Sequence, residues 1–309
     1  RLVGSEMCIR DSSKQYAIDA GKRALEEHYA RLGIDAEVRY TGIFIMFESV
    51  LKVKDNPKVS ILIPSKDHVE DLKRCITSIQ KNSTWSNYEI IVVENNSTTP
   101  EIKDYYSQLL GLSGDDSYEE RCKLHTVCGH DGGILHSGDG RISIVTYQGD
   151  FNYSAVNDLG ASYASGEYIL LLNNDTEVIT ANWMEEMLMY AQREDVGAVG
   201  AKLYYADKTI QHAGVVIGLG AHRTAGHTHY RIPVQNLGYM GRLCYTQNVT
   251  AVTGACLLVK KSLYEQVGGL DESFVISLND VDFCLKLRKL GLLNVWTPFA
   301  ELYHYESIS

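Results

Sequence analysis

The reading turns on Tyr168-Ile169-Leu170-Leu171-Leu172-Asn173-Asn174-Asp175-Thr176-Glu177, where an apolar run without alternation ends abruptly on amides and carboxylates. Such a run fits a parallel-sheet strand covered on both faces. In open α/β sheets, ligands bind just beyond the carboxyl ends of such strands. Asn173 and Asp175 lie two apart, so in extended backbone their side chains project to one side, where they can grip one ligand or one hard cation. By itself the stretch fits an ordinary strand-to-helix turn better, because Asn and Asp are common turn and N-cap residues.

Two upstream strands end in the same way. Lys58 to Pro64 runs into Ser65-Lys66-Asp67, and Glu89 to Val93 runs into Glu94-Asn95-Asn96-Ser97. Between them Leu72, Cys75, Ile76 and Ile79 share one helical face, so the order is β-α-β and predicts a parallel sheet with right-handed crossovers. Pro100 to Leu110 and Tyr153 to Ala164 read as helices and Arg141 to Thr146 as a strand. Gly111 to Gly140 has no period and is expected to be a long surface insertion. Its Cys122, His125, Cys128, His130 and His136 match no closed zinc pattern. Downstream, Thr180 caps a helix carrying Trp183, Met184 and Met187, and Val196 to Tyr204 is a strand. Ile210 to Gly220 and Ala251 to Val259 are strand-like. A helix over Asp280 to Leu290, a strand over Leu293 to Trp296 and the piece Tyr303 to Glu306 complete the pattern.

At the other end, Met7-Cys8-Ile9-Arg10-Asp11-Ser12 resembles translated sequencing-adapter sequence, so residues 1–12 are set aside as a non-native leader. A helix to Leu32, an extended piece to Val53 and the tract Lys54 to Asn56 make residues 13–56 a flank of the main domain, 57–309. The chain stops at Ser309 without an ending signal, and missing flanking domains are expected at both ends.

The 309 residues are 45% hydrophobic and 22% charged, with a formal net charge of −10, so no general attraction to nucleic acid or anionic lipid is expected. The seven cysteines are scattered without a CxxC pair, which reads as reduced, core-filling thiols of a cytoplasmic protein. No apolar run reaches the ~18 residues of a membrane-spanning helix.

Converging strand ends form one crevice, so the three polar clusters should face a common ligand. No GxGxxG or GxxxxGK[ST] loop follows a strand, which argues against a backbone phosphate cradle. A nucleotide would be held by side chains at the strand ends, with Mg²⁺ or Mn²⁺ on its phosphates.

The ordered set Val59 to Pro64, Ile91 to Ser97, Phe151 to Asn157, Gly166 to Asp175, Gly268 to Phe274, Asn279 to Asp282 and Tyr303-His304 resembles family 2 glycosyltransferases of the GT-A fold. It is particularly similar to bacterial rhamnosyltransferase-like enzymes of cell-surface polysaccharide synthesis. The resemblance implies an α/β fold in which a mostly parallel, Rossmann-like nucleotide-binding sheet (57–178) is fused to a smaller acceptor half (179–309). It also implies a nucleotide-diphosphate sugar donor, UDP- or dTDP-linked, and a saccharide or lipid-linked acceptor met at the inner face of the plasma membrane.

Roles follow residue by residue. Pro64 and Asp67 match the first-strand motif that binds the nucleoside, and Glu94 and Asn96 the second strand end that meets base or ribose. Asn173, Asn174 and Asp175 occupy the DxD position, with Asp175 the expected metal ligand and Asn173 a departure that removes one negative charge. His304 matches a histidine completing the metal site. Asp280 matches the catalytic base, with Asn279 in place of the preceding acid; read from residues alone, Asp280 also fits an N-cap of the following helix. Gly254 belongs to a loop approaching the sugars, where a glycine permits close backbone approach, and Asn279 and Asp282 are expected on the acceptor side. His222, His227, His229, Tyr230 and Tyr239 are further candidates for the acceptor groove. A metal-bound diphosphate needs no general acid, so one base suffices and direct displacement inverts C1. Two readings compete. One is a catalytically inactive glycan-binding relative, which the two Asn replacements favour. The other is a sugar-nucleotide pyrophosphorylase, whose Gly-rich first loop Pro64-Ser65-Lys66-Asp67 does not supply.

Overall fold

The computed structural model describes residues 15–43, 45–114, 116–127, 133–219 and 223–306. The leader, Cys128, His130 and His222 therefore lie outside the described residues.

Among these, an eleven-stranded sheet carries the fold. Its centre is β3 (Val59–Ser65), flanked by β4 (Tyr88–Asn95) and β7 (Tyr168–Leu172), with β6 (Ile142–Tyr147) beyond β4. These four strands are mutually parallel, so their carboxyl ends converge. All five residues of β7 are buried, as an unalternating run demands. Ile61 and Ile63 join the core on one face of the sheet, while Leu62 joins the core on the other, which is the two-residue period of a strand covered on both sides. Helix α2 (Val69–Asn82) buries Leu72, Cys75, Ile76 and Ile79 against the first face, and α5 (Tyr153–Tyr163) buries Val156 and Ala161 against the second.

Several expectations need correction. The tract 111–140 is not a plain insertion: it contains a helix, Tyr118–Val127, and an edge strand, Ile134–His136, antiparallel to β6. The apolar piece ending at Val259 becomes β14 (Cys256–Lys260), inserted antiparallel between β7 and β9 (Val196–Tyr204). The expected short strand at Leu293 is one twelve-residue strand, β15 (Leu293–His304), parallel to β9 with register shifts along its length. The helix after Leu278 is α8 (Asn279–Lys289), and Leu278, with φ 66°, holds the cap position that Asp280 was expected to fill.

The described residues of the flank, from Gln15 on, are docked against the main domain. Helix α1 (Gln15–Leu32) precedes a hairpin of β1 (Ala36–Tyr40) and β2 (Phe47–Leu51). The hairpin and the residues after it meet α6 (Trp183–Ala191) and its end, where Gln192 donates to the Lys52 carbonyl at 2.9 Å and accepts from Lys54 N at 3.1 Å. Among the described residues no helix is long and apolar enough to cross a membrane.

Candidate active site

Beyond the converging strand ends lies a cavity of ≈ 520 Å³ lined by Pro64 to His68, Asp71, Asn95, Phe151, Tyr153 and Asn173 to Asp175. Period-2 alternation at the end of β4 divides its polar residues, because neighbours on a strand face opposite ways. Asn95 faces this cavity, whereas Glu94 and Asn96 line a neighbouring one of ≈ 720 Å³ with Lys103, Tyr106 and Tyr118. The expected common crevice is thus two adjoining recesses.

Asp67 bridges the first two strand ends. Its Oδ1 accepts from Thr98 N and Thr99 N, both at 2.9 Å, and from Thr99 Oγ1 at 3.0 Å. Burial pushes its carboxyl up, but those bonds outweigh it and hold the group below the usual carboxylate range. Glu94 behaves oppositely: burial raises its pKa in spite of the bond it accepts from Ser97 N.

The two residues expected at the cation are far apart in sequence and meet through a strand pair. A short strand, β8 (Thr176–Val178), runs antiparallel to the end of β15 with His304 opposite Thr176. Tyr305 N donates to the Asp175 carbonyl at 3.0 Å and locks the register. His304 Nε2 then lies 3.2 Å from Asp175 Oδ1 and 3.1 Å from Asn173 Nδ2, and both His304 and Asp175 are 7% exposed. A carboxylate and an imidazole nitrogen so placed fit a divalent cation that takes its remaining ligands from phosphate and water. No cluster of three or more ligating His, Cys, Asp or Glu side chains occurs among the described residues.

β14 brings the acceptor-side residues to the same place. Because Cys256 pairs with Leu172, the segment just before it crosses the carboxyl end of β7, and Asn173 N donates to the Ala255 carbonyl at 3.1 Å. Gly254 N donates to Asp280 Oδ2 at 2.9 Å, while its carbonyl accepts from Tyr153 Oη, also at 2.9 Å. A Cβ on residue 254 would lie 2.8 Å from that Oη, so a side chain there would have to displace the Tyr153 ring from its bond to the Gly254 carbonyl. Asp280 Oδ1 also accepts from Val281 N at 2.8 Å. Its start of α8 is tied to α5, whose Asn152 cap donates to the Glu272 carbonyl at 2.8 Å and whose Tyr153 N donates to that of Val275.

With that geometry in view, the comparisons are specific. The model described as Glycosyl transferase family 2 matches residues 60–124 and 133–268. The chain belongs to that family. Relatives of the chain include uncharacterized protein y4gI of Sinorhizobium fredii, 41% identical over 100% of the chain and 31% of that protein. O-antigen biosynthesis protein RfbC of Myxococcus xanthus is 36% identical over 97% of the chain and 21% of that protein. The chain thus spans about a third or less of these relatives. N-acetylglucosaminyl-diphospho-decaprenol L-rhamnosyltransferase of Mycobacterium tuberculosis is 43% identical over 58 residues, 19% of each chain. The GT-A fold is shared with GalNAc-T7, solved with UDP, GalNAc and Mn²⁺ (TM-score 0.59, 12% identity, 82% of this chain and 44% of that one). It is shared too with the mannosyltransferase PcManGT of Pyrobaculum calidifontis, solved with GDP-Man and Mn²⁺ (TM-score 0.53, 13% identity, 94% and 66%).

Of the expected donor-side residues, Pro64, Asp67, Asn173, Asn174 and Asp175 line the first cavity, and Glu94 and Asn96 the second. Asp280 joins the first through Gly254 and Tyr153. Asn279 is 4% exposed and turned inward, its Oδ1 accepting from Asp280 N at 2.8 Å. Asp282 pairs with Lys286 at 3.2 Å. Both of these contacts lie within α8. Ser65, Lys66 and Asn95, expected as members of the polar strand ends, line the cavity, and so do His68, Asp71, Phe151 and Tyr153, which were given no role at the site. Their signal was proximity to motif residues, which sequence order alone does not turn into direction.

Proposed function

We propose that the chain is the catalytic domain of an inverting, metal-dependent glycosyltransferase. It moves a sugar from a nucleoside-diphosphate donor to a saccharide or lipid-linked acceptor in cell-surface polysaccharide synthesis, at the cytoplasmic face of the membrane. The observation that carries this reading is the meeting, around one cavity, of the Asp175–His304 pair and the Gly254 link to Asp280. Relatives named for O-antigen biosynthesis and rhamnosyl transfer support the pathway class.

In this reading the nucleoside lies along the ends of β3 and β4, held by the loop that Asp67 braces. Asp175 through Oδ1 and His304 through Nε2 would hold the cation, with the Asn173 amide beside them as a neutral neighbour in place of a second carboxylate. A divalent cation bound there offsets the negative charge that grows on the departing diphosphate. Asp280 takes the proton of the acceptor hydroxyl as that oxygen forms its bond to C1 and the bond from C1 to the phosphate oxygen breaks. Both Asp280 oxygens already accept a backbone N–H, yet each retains a second lone pair for the proton. Attack opposite the leaving group inverts C1.

The test is a panel of UDP-, dTDP- and GDP-sugars with Mn²⁺ or Mg²⁺, and with EDTA, read as nucleoside diphosphate released with and without saccharide acceptors. Metal-dependent turnover of one donor class, giving a product of inverted anomeric configuration, is expected. Glycan binding without metal-linked nucleotide binding would instead identify an inactive relative.

A further inference from the structure

Behind Gly254 stands a pair of histidines to which the proposed reaction gives no role. His212, at the end of strand β10 (Ile210–His212), is 0% exposed, and His227 ends strand β12 (Ala225–His227). β12 pairs with β11 (Val215–Ile217) so that His227 lies opposite Val215, which brings the two rings together edge to face with centroids 5.0 Å apart. Their Nδ1 atoms are 2.9 Å apart, and His212 Nε2 lies 3.4 Å from Thr253 N.

These contacts fix the protons. A backbone N–H only donates, so His212 Nε2 must be the lone pair and its single proton sits on Nδ1. That proton faces His227 Nδ1, which must accept, leaving the proton of His227 on Nε2. A second proton on His212 would set Nε2–H against the Thr253 N–H, and one on His227 would set two N–H groups head to head. Burial lowers both pKa values; at His212 the charges of His227 and His304 add to it, while at His227 the carboxylates of Asp280 and Glu306 oppose it without reversing the direction. The chain Thr253-Gly254 is therefore gripped at successive amides, the first by His212 and the second by Asp280.

We propose that His212 and His227 form a neutral, tautomer-locked pair that positions the Thr253–Gly254 backbone and, through it, the carboxylate of Asp280. They are positioning residues, and the β11–β12 hairpin is the element that braces the acceptor side of the site. The consequence for transfer rests on the reading of Asp280 as the base; the positioning itself does not.

The experiment uses the whole chain with ¹⁵N-labelled histidine, reading imidazole tautomers by long-range ¹H–¹⁵N correlation at pH 6 and 7, and hydrogen exchange at the Gly254 amide. His212 is expected as Nδ1–H and His227 as Nε2–H, neither charged at pH 6. His227→Leu removes the acceptor and is expected to speed Gly254 exchange by about tenfold, the scale of one hydrogen bond. His227→Asn places an amide oxygen where Nδ1 stood and is expected to restore protection. With whichever of UDP, dTDP and GDP binds the wild type in Mn²⁺, His227→Leu should leave that affinity unchanged while lowering kcat for transfer by about tenfold. A His212 ring protonated on Nε2, unchanged Gly254 exchange in His227→Leu, or His227→Asn as damaging as His227→Leu overturns the proposal. If no donor is turned over, the functional reading fails, and the tautomers and Gly254 exchange still decide this one.

Discussion

Asp280→Asn is the perturbation with the most to decide, because the carboxylate has two jobs. It is the expected base, worth about 10²–10⁴-fold in rate. It also accepts Val281 N at 2.8 Å on one oxygen and Gly254 N at 2.9 Å on the other. An amide has a single oxygen, so either flip sets its NH₂ against one of those backbone donors. Leaving such a donor unsatisfied costs about 1–3 kcal/mol, and each kcal/mol corresponds to about 2–4 °C in Tm for a domain of this size class. A matched control is Asn279→Ala, which deletes the acceptor of Asp280 N but keeps the carboxylate. Calorimetry gives the two Tm values, and initial rates of transfer with the working donor give the activities. Asp280→Asn is expected to lose at least about 100-fold, and Asn279→Ala less than about tenfold at a comparable fall in Tm. Transfer by Asp280→Asn within tenfold of wild type, or equal loss in both variants, refutes the assignment of the base.

Other outcomes follow from the same contacts. Glu186 is 2% exposed, and burial, with Glu48 nearby, raises its carboxyl to about 7 from 4.5. The folded state therefore holds a proton that the unfolded chain releases, so this stability is full below about pH 4.5 and is lost as pH rises toward 7. Glu186→Gln, always neutral, should raise stability at pH 8 by up to about 3 kcal/mol and by almost nothing near pH 4.5, read as Tm against pH; parallel curves would remove the effect. His304→Ala should weaken Mn²⁺ binding in the presence of nucleoside diphosphate by at least about 10–100-fold, the range seen when even an outer partner of a metal ligand is removed, measured by electron paramagnetic resonance titration. Gly166→Ala would place a Cβ 2.6 Å from the Lys58 carbonyl and 2.8 Å from Ser60 N, both backbone, and should cost about 1–3 kcal/mol in denaturant melts.

The parts of the fold written in local periodicity were legible. β3, β4 and β7 announce themselves as apolar runs with polar ends, and α2 as a face of Leu72, Cys75, Ile76 and Ile79. What failed was non-local or masked. The helix Tyr118–Val127 reads Tyr-Glu-Glu-Arg-Cys-Lys-Leu-His-Thr-Val, too charged and too weakly sided to show a period. β15 hides because Pro298 interrupts it and its pairing with β9 shifts between Trp296 and Glu301. β14 reads as a strand, but nothing in its residues says that it enters between β7 and β9 in the opposite direction.

The same distinction governs the site. Motif residues at strand ends were found, yet which recess each faces depends on the pleat, and this separates Asn95 from Glu94 and Asn96. His304 is credible by resemblance, but its contact with Asp175 exists because β8 pairs with the far end of a strand that begins at Leu293. The two Asn residues in place of acids look in sequence like lost function. In the structure both still line or support the site: Asn173 lies 3.1 Å from His304 Nε2, and Asn279 turns inward to accept from Asp280 N, a bond that a carboxylate there could accept as well. In the proposed reading the site offers a cation one carboxylate and one imidazole, so its hold on the metal would depend on the diphosphate that arrives with the donor. In that reading the opening stretch supplies part of the metal site, and the donor's phosphates would supply the rest.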